Sequence, residues 1–183
     1  MLPIIVAAVI VIVCALLVLV ARRPSTFLIS RGTSVVAPAA IVFTQVNDLH
    51  RWNDWSPWAK LDPDMKQTFD GPLAGPGAGY AWSGNKKVGT GRMTITDSHA
   101  PELIRLRLEF QRPFTATNTA EFTFQPEGNQ TSVTWSMSGR SNFMFKLFGL
   151  IVNMDQLVGR DFEKGLAQLK AVAETSAGQQ SRH

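Results

Sequence analysis

Four consecutive stretches between Thr90 and Ser138 alternate apolar with polar residues, and this alternation restricts the possible folds more than any other feature of the chain. In GTGRMTITD, Met93 and Ile95 oppose Arg92, Thr94 and Thr96. In ELIRLRLEFQRP, Ile104, Leu106, Leu108 and Phe110 oppose Arg105, Arg107 and Glu109. Ala120, Phe122 and Phe124 then oppose Thr119, Glu121 and Thr123, and Val133, Trp135 and Met137 oppose Thr134, Ser136 and Ser138. Successive side chains of a strand point to opposite faces, so each stretch reads as a half-buried strand. Glu127, Gly128 and Asn129 supply a hairpin turn between the last two. The pattern predicts a meandering antiparallel sheet with one dry face, which another element must cover.

One segment is large enough to be that cover. Leu150, Met154, Leu157, Val158, Phe162, Leu166 and Leu169 recur at steps of three and four, the period of a long amphipathic helix. The closing ETSAGQQSRH has no apolar payload, so residues 176–183 are expected to form a flexible tail. Gly159 and Gly165 each cost about 1 kcal/mol in a helix interior relative to Ala, and close passage over the sheet or over a ligand would account for them. Exposed helix pairs are expected for Asp161 and Glu163 with Arg160 and Lys164.

Upstream, TFLISRGTSVVA (Thr26 to Ala37) reads as a strand, and PAAIVFTQVNDLHRW as a helix starting at Pro38 with Ile41, Val42, Val46 and Leu49 on one face. The glycines and prolines of DPDMKQTFDGPLAGPGAGYAW mark a strand end, a loop and a re-entry. The expected class is therefore α+β: about six to seven antiparallel strands curved around a long C-terminal helix. A bent sheet and a single closing helix leave a cavity between them.

Ahead of this domain, LPIIVAAVIVIVCALLVLVA (Leu2 to Ala21) carries no charge over twenty residues. As a helix it would span roughly 30 Å, the hydrocarbon thickness of a bilayer. No Lys or Arg precedes the run, which argues against a cleaved signal peptide. Residues 1–23 are thus expected to be a single-pass transmembrane anchor and 24–175 the folded domain. Arg22, Arg23 and Arg31 follow the run, so the positive-inside rule places the C-terminal domain in the cytoplasm. The net charge of +4 is scattered among acids, which gives no support to nucleic-acid binding. Cys14 is the only cysteine, so intrachain disulfides and CxxC sites are excluded.

The order of elements, together with APAAIVFTQVNDLHRWNDWSPW and MDQLVGRDFEKGLAQLK, resembles the START-like superfamily, also called SRPBCC, which includes the polyketide cyclase/dehydrase and lipid-transport proteins. The resemblance covers about Phe27 to Ala173. It implies a helix-grip fold, in which a curved antiparallel sheet grips the terminal helix around a hydrophobic pocket. Fold alone does not fix chemistry.

HRWNDWSPW places Trp52, Trp55 and Trp58 three residues apart, on one face if the turn stays helical. Pro57 ends the helix by Ser56, so one or two of them must leave that face. They are expected to serve as core, as the mouth of the cavity with Trp55 or Trp58 touching a ligand, or as anchors at the membrane interface. The other candidate ligand-binding residues are Tyr80, Trp82, Met93, Leu106, Leu108, Phe122, Phe124, Trp135, Met137, Met154 and Leu157.

Catalytic motifs are scarce. There is no G-x-S-x-G elbow, no H-E-x-x-H pair, and the glycines of GPLAGPGAGY miss the P-loop and dinucleotide spacings. His50, Asp54 and Tyr80 are the only candidate acids or bases; no metal site and no cofactor are expected. The expected function is a membrane-anchored protein that binds a hydrophobic small molecule or lipid in an internal cavity. Two alternatives stand beside it: a cyclase- or dehydratase-like enzyme, and a protein-interaction module resembling chaperone co-activators or stress regulators, its partner unknown.

Overall fold

The computed structural model describes residues 2–141, 143–150 and 152–180. Seven strands form one curved antiparallel sheet: β1 (Thr26–Val35), β2 (Lys66–Asp70), β3 (Gly79–Ser83), β4 (Thr90–His99), β5 (Leu103–Arg112), β6 (Ala116–Glu127) and β7 (Gln130–Arg140). The spatial order is β1-β7-β6-β5-β4-β3-β2, so the strands from β2 to β7 meander and β1 joins the far side of β7. The chain leaving β1 must therefore cross the whole sheet to reach β2. It does so through α2 (Ala39–Asn47), a 3-10 turn (Leu49–Arg51) and α3 (Trp52–Trp55).

The alternation sets the register. Ile104, Leu106, Phe122, Phe124, Val133 and Trp135 are buried on the concave face. On the convex face Arg105 pairs with Asp97 at 3.2 Å and Glu121 at 2.8 Å, and Arg107 with Glu109 at 2.6 Å. Turning β5 over would bury these guanidinium groups and expose Ile104 and Leu106. Glu127 faces Gln130 across the β6–β7 turn, where Gly128 takes φ 64°, a conformation costly for residues with a Cβ.

The long helix is α5 (Met154–Gln180). It begins four residues after the expected Leu150, because Asn153 caps it: Asn153 Oδ1 accepts from the Gln156 amide at 3.1 Å. It continues through Gln180, so residues 176–180 are helical where a flexible tail was expected. α5 is fastened along β1. Arg31 bridges Asp155 and Glu163, both at 2.9 Å, so Glu163 pairs across to the sheet and not with Arg160 on its own helix. Lys170 donates to the Ser34 carbonyl at 2.8 Å, and Glu174 accepts from the Val36 amide at 2.8 Å. Gly165 lets the helix pass close over the sheet: a Cβ there would lie 2.7 Å from the Trp135 ring and 3.0 Å from Pro57. Gly159 lies under the Arg31 guanidinium.

At the end of α2 the last carbonyls have no intrahelical donor. Two tryptophans supply one each: the Trp52 indole donates to the Val46 carbonyl at 2.9 Å and the Trp55 indole to the Gln45 carbonyl at 3.0 Å. This lets a broken helix turn back on itself inside the core without orphaned backbone groups.

Two further helices lie at one end of the sheet, α1 (Leu2–Ala21) and α4 (Phe143–Phe148). α1 is long and apolar enough to cross a membrane, and nearly all of it stands clear of the domain. Val20 is buried, and Arg23 donates to the Gly149 carbonyl at 2.7 Å, just after α4.

Candidate ligand-binding cavity

The concave face is covered in two parts. α2 seals the end of the sheet where β6 and β7 meet, with Phe43 packed edge-on against Phe124 at 5.6 Å between ring centroids. α5 and α3 cover the middle. Between them and the remaining part of the sheet lies a cavity of about 330 Å³. Its floor is Met93, Leu106, Leu108, Phe110, Ala120, Trp135 and Met137 from β4 to β7, and its roof is Leu157, Val158 and Phe162 of α5. Trp52, Trp58, Tyr80 and Trp82 form the side walls.

Nine of the expected ligand-binding residues line this space: Trp58, Tyr80, Trp82, Met93, Leu106, Leu108, Trp135, Met137 and Leu157. Four do not. Trp55, Phe122 and Phe124 are packed solid; Phe122 stacks on Trp135 at 4.9 Å, and Trp55 lies edge-on to both at 6.0 and 5.8 Å. Phe122 and Phe124 point inward as the alternation requires, but the α2–α3 crossing, Trp55 included, fills the room above them. Met154 occupies the first turn of α5, outside the cavity, in a surface groove with Arg23, Phe27 and Leu150.

The three tryptophans of the Trp-rich turn thus divide. α3 stops at Trp55 because Ser56 is extended ahead of Pro57. Trp52 and Trp55 keep the inward face, while Trp58 swings to the cavity wall, edge-on to Trp135 at 5.8 Å. Trp135 is sandwiched between Phe122 and Phe162, the latter parallel at 4.1 Å, and its indole nitrogen has no nitrogen or oxygen partner among the described residues. Trp52, Phe162 and Ala120 were missed as lining residues, as were Lys87, Arg112 and Asp161 at the open end. Phe162 and Trp52 were legible as inward-facing by period, and Arg112, the last residue of β5, keeps the parity of Leu108 and Phe110, whereas Lys87 lies in a connection with no periodic signal.

The polar groups are few. Of the three candidate acids or bases, only Tyr80 reaches the cavity. Its ring lies between Phe69 at 5.0 Å and Trp82 at 5.9 Å, and burial pushes the phenol up to about 12, so it is a neutral hydrogen-bond donor at physiological pH. His50 is stacked on Phe69 at 4.0 Å and bonded to Asp48 at 3.1 Å on the outside of the domain. Asp54 is exposed and outside the cavity. Asp161 is the single carboxylate on the lining, at 3.6 Å from Lys164. Arg112 is held by the Thr90 hydroxyl at 2.8 Å.

Solved structures share this architecture. The chain resembles protein CV1439 from Chromobacterium violaceum with TM-score 0.58 and 15% identity, over 83% of this chain and 99% of that one. It resembles the Aha1 dimer from Colwellia psychrerythraea with TM-score 0.59 and 13% identity, over 81% and 96%. It also resembles the di-domain ARO/CYC BexL from the BE-7585A biosynthetic pathway, with TM-score 0.57 and 15% identity, over 86% and 53%. At such identities the likeness is one of fold. No curated protein sequence matches the chain. Residues 27–174, spanning β1 to the last third of α5 and every wall of the cavity, match the family described as polyketide cyclase / dehydrase and lipid transport, and the chain belongs to that family.

Proposed function

We propose that the protein is a membrane-anchored carrier of a hydrophobic small molecule, such as a lipid or an isoprenoid-like compound, held between the sheet and α5. The observation that supports this best is the 330 Å³ void walled by aromatic, leucine and methionine side chains in a domain that is otherwise close-packed. Methionines at 93 and 137 give a wall that adapts to ligand shape. Burying about 300 Å² of apolar ligand surface contributes about 7.5 kcal/mol before the costs of association are subtracted. α1 supports a location in the bilayer, where such ligands dissolve, and Arg22 and Arg23 favour a cytoplasmic domain.

A second reading, a cyclase- or dehydratase-like enzyme, is favoured by Tyr80, whose phenol stays neutral in the cavity and can donate a hydrogen bond to a substrate oxygen as charge develops on it. A base is harder to supply, since Asp161 lies at the open end. The test is native mass spectrometry of the full chain released from detergent, followed by titration with an environment-sensitive fatty-acid probe. Co-purified apolar material, or uptake at one equivalent, supports carriage. Empty protein that takes up nothing from a broad lipid panel overturns it, and chemical turnover of a polyketide-like substrate lost in Tyr80→Phe would favour the enzyme.

A further inference from the structure

The sheet has two ends, and the register shows which one holds the opening. Thr26 at the start of β1 faces Arg140 at the end of β7, Arg112 at the end of β5 faces Thr90 at the start of β4, and Ser83 at the end of β3 faces both Thr90 and Lys66. These positions form one end of the sheet. The opposite end carries the β6–β7 turn and the His99–Leu103 connection. The deep cavity residues Met93, Leu106, Ala120 and Trp135 are buried, whereas Lys87, Arg112, Pro113 and Leu157 on the lining are exposed. With Asn53 of α3, which is hydrogen-bonded to Gln67 beside Lys66, these are the exposed residues of the lining, and they lie at the first end: the β3–β4 connection, the junction of β5 with the β5–β6 connection, and the first turn of α5. The cavity therefore opens at the end of the sheet at which β1 begins.

α1 is joined to that same end of the sheet. Only Arg22, Arg23, Pro24 and Ser25 separate Ala21 from Thr26, which limits the gap to about 18 Å even when fully extended. At this end of the sheet, large apolar side chains are exposed: Phe114 (54%), Phe143 (52%), Leu147 (38%) and Leu157 (53%). They come from the β5–β6 connection, α4 and the first turn of α5, so no single element explains their exposure. Cations accompany them, with Arg22, Arg23, Arg140 and Lys146 on the α1 side and Lys87 and Arg112 on the lip, against Asp62, Asp64, Asp161 and the Arg31-paired Asp155 as the acids at this end. Apolar side chains interleaved with an excess of Lys and Arg match the chemistry of an anionic bilayer surface.

Resting on the reading of α1 as a membrane span, we propose that the cavity rim is a membrane-docking face. Phe114, Leu147 and their neighbours dip into the headgroup region, the cations meet lipid phosphates, and ligand passes between bilayer and cavity without crossing water. The lining and the anchor are thus two parts of one path.

Cys14 is the only thiol, so Cys14→Ser gives a background for single labels. Phe114→Cys, Leu147→Cys and, at the far end of the sheet, Asn129→Cys are labelled with an environment-sensitive fluorophore in the full chain, reconstituted into phosphatidylcholine/phosphatidylglycerol vesicles containing doxyl-lipid quenchers. Quenching is expected at 114 and 147 and not at 129. Lys146→Glu, or vesicles without phosphatidylglycerol, should reduce it, by about fivefold in the docked-to-free ratio per charge. Labels at 114 and 147 quenched no more than that at 129 overturn the proposal, as does shielding that occurs only in native membranes and never in pure lipid, which would assign the face to a protein partner. The two reporters lie on separate connections, so a folding failure in one leaves the other readable. Resistance of the chain to alkaline extraction and uptake of the fatty-acid probe report independently on the anchor and the cavity.

Discussion

Trp55 and Trp58 lie three residues apart, and the structure gives them different fates that a pair of substitutions separates. Trp55 is fully buried, contacts Trp52, Phe122 and Trp135, and donates its indole proton to the Gln45 carbonyl at 3.0 Å. Trp55→Ala removes about 200 Å² of buried aromatic surface, worth about 5 kcal/mol, and leaves the carbonyl at the end of α2 unpaired for about 1 kcal/mol more. The total is of the order of the stability of a whole domain. At about 3 °C per kcal/mol for a domain of this size, the melting temperature should fall by roughly 15–20 °C. Trp58 is only half buried, with one side on the void, so Trp58→Ala should cost about 2 kcal/mol and roughly 6 °C. The order reverses for binding: loss of about 50 Å² of ligand contact in Trp58→Ala should weaken uptake of the fatty-acid probe about tenfold. Trp55→Phe, which keeps most of the packing and removes only the donor, should fall between wild type and Trp55→Ala. Thermal unfolding followed by circular dichroism, with probe titration on the same preparations, measures all of this. A smaller loss of melting temperature for Trp55→Ala than for Trp58→Ala would refute the division of core from cavity.

Ala120 lies on the cavity floor with free volume above it, so Ala120→Phe should fill the void, abolish probe uptake and leave the melting temperature unchanged or higher. Alkaline titration should show Tyr80 ionising near pH 12 by its absorbance; because its folded value lies above the ordinary 10, the unfolded chain loses its proton first, and stability should fall as pH rises from 10 to 12. Arg31, hydrogen-bonded to Asp155, holds that carboxyl below its ordinary 3.8, so the contribution is complete above pH 3.8 and is lost as pH falls through the depressed value. In Arg31→Met the Asp155 carboxyl should return to the ordinary range in an NMR titration, and this acid-side dependence should weaken.

Period was the part of the fold most legible in the sequence. The alternation of Arg105, Leu106, Arg107 and Leu108 gave the faces of β5, and the steps from Val158 to Leu169 gave the buried stripe of α5. Depth was not legible. Phe122 and Leu106 alternate identically, yet one is sealed in the core and the other borders free space, because α2 and α3 cover only part of the concave face. That coverage depends on where the chain crosses from β1 to β2, a tertiary matter with no local signal. Met154 failed for a related reason: it continues the apolar stripe, but it is the first residue of α5 and lies in the outer groove, whereas the roof of the void begins at Leu157. Of the lip residues, Arg112 continues the parity of Leu108 and Phe110, whereas Lys87 and Asp161 were unreadable because nothing in a connection and a helix turn announces that they converge.

An open seven-stranded sheet has two borders with unsatisfied amides and carbonyls, and identical copies colliding sideways would find them ready templates for strand addition. On the β1 side the Lys170 ammonium and the Glu174 carboxylate already occupy backbone groups at Ser34 and Val36. The β2 side is five residues long and flanked by Lys66 and Asp70, too short and too charged to propagate pairing. The same helix that roofs the void therefore also keeps neighbouring molecules from zipping together into fibrils.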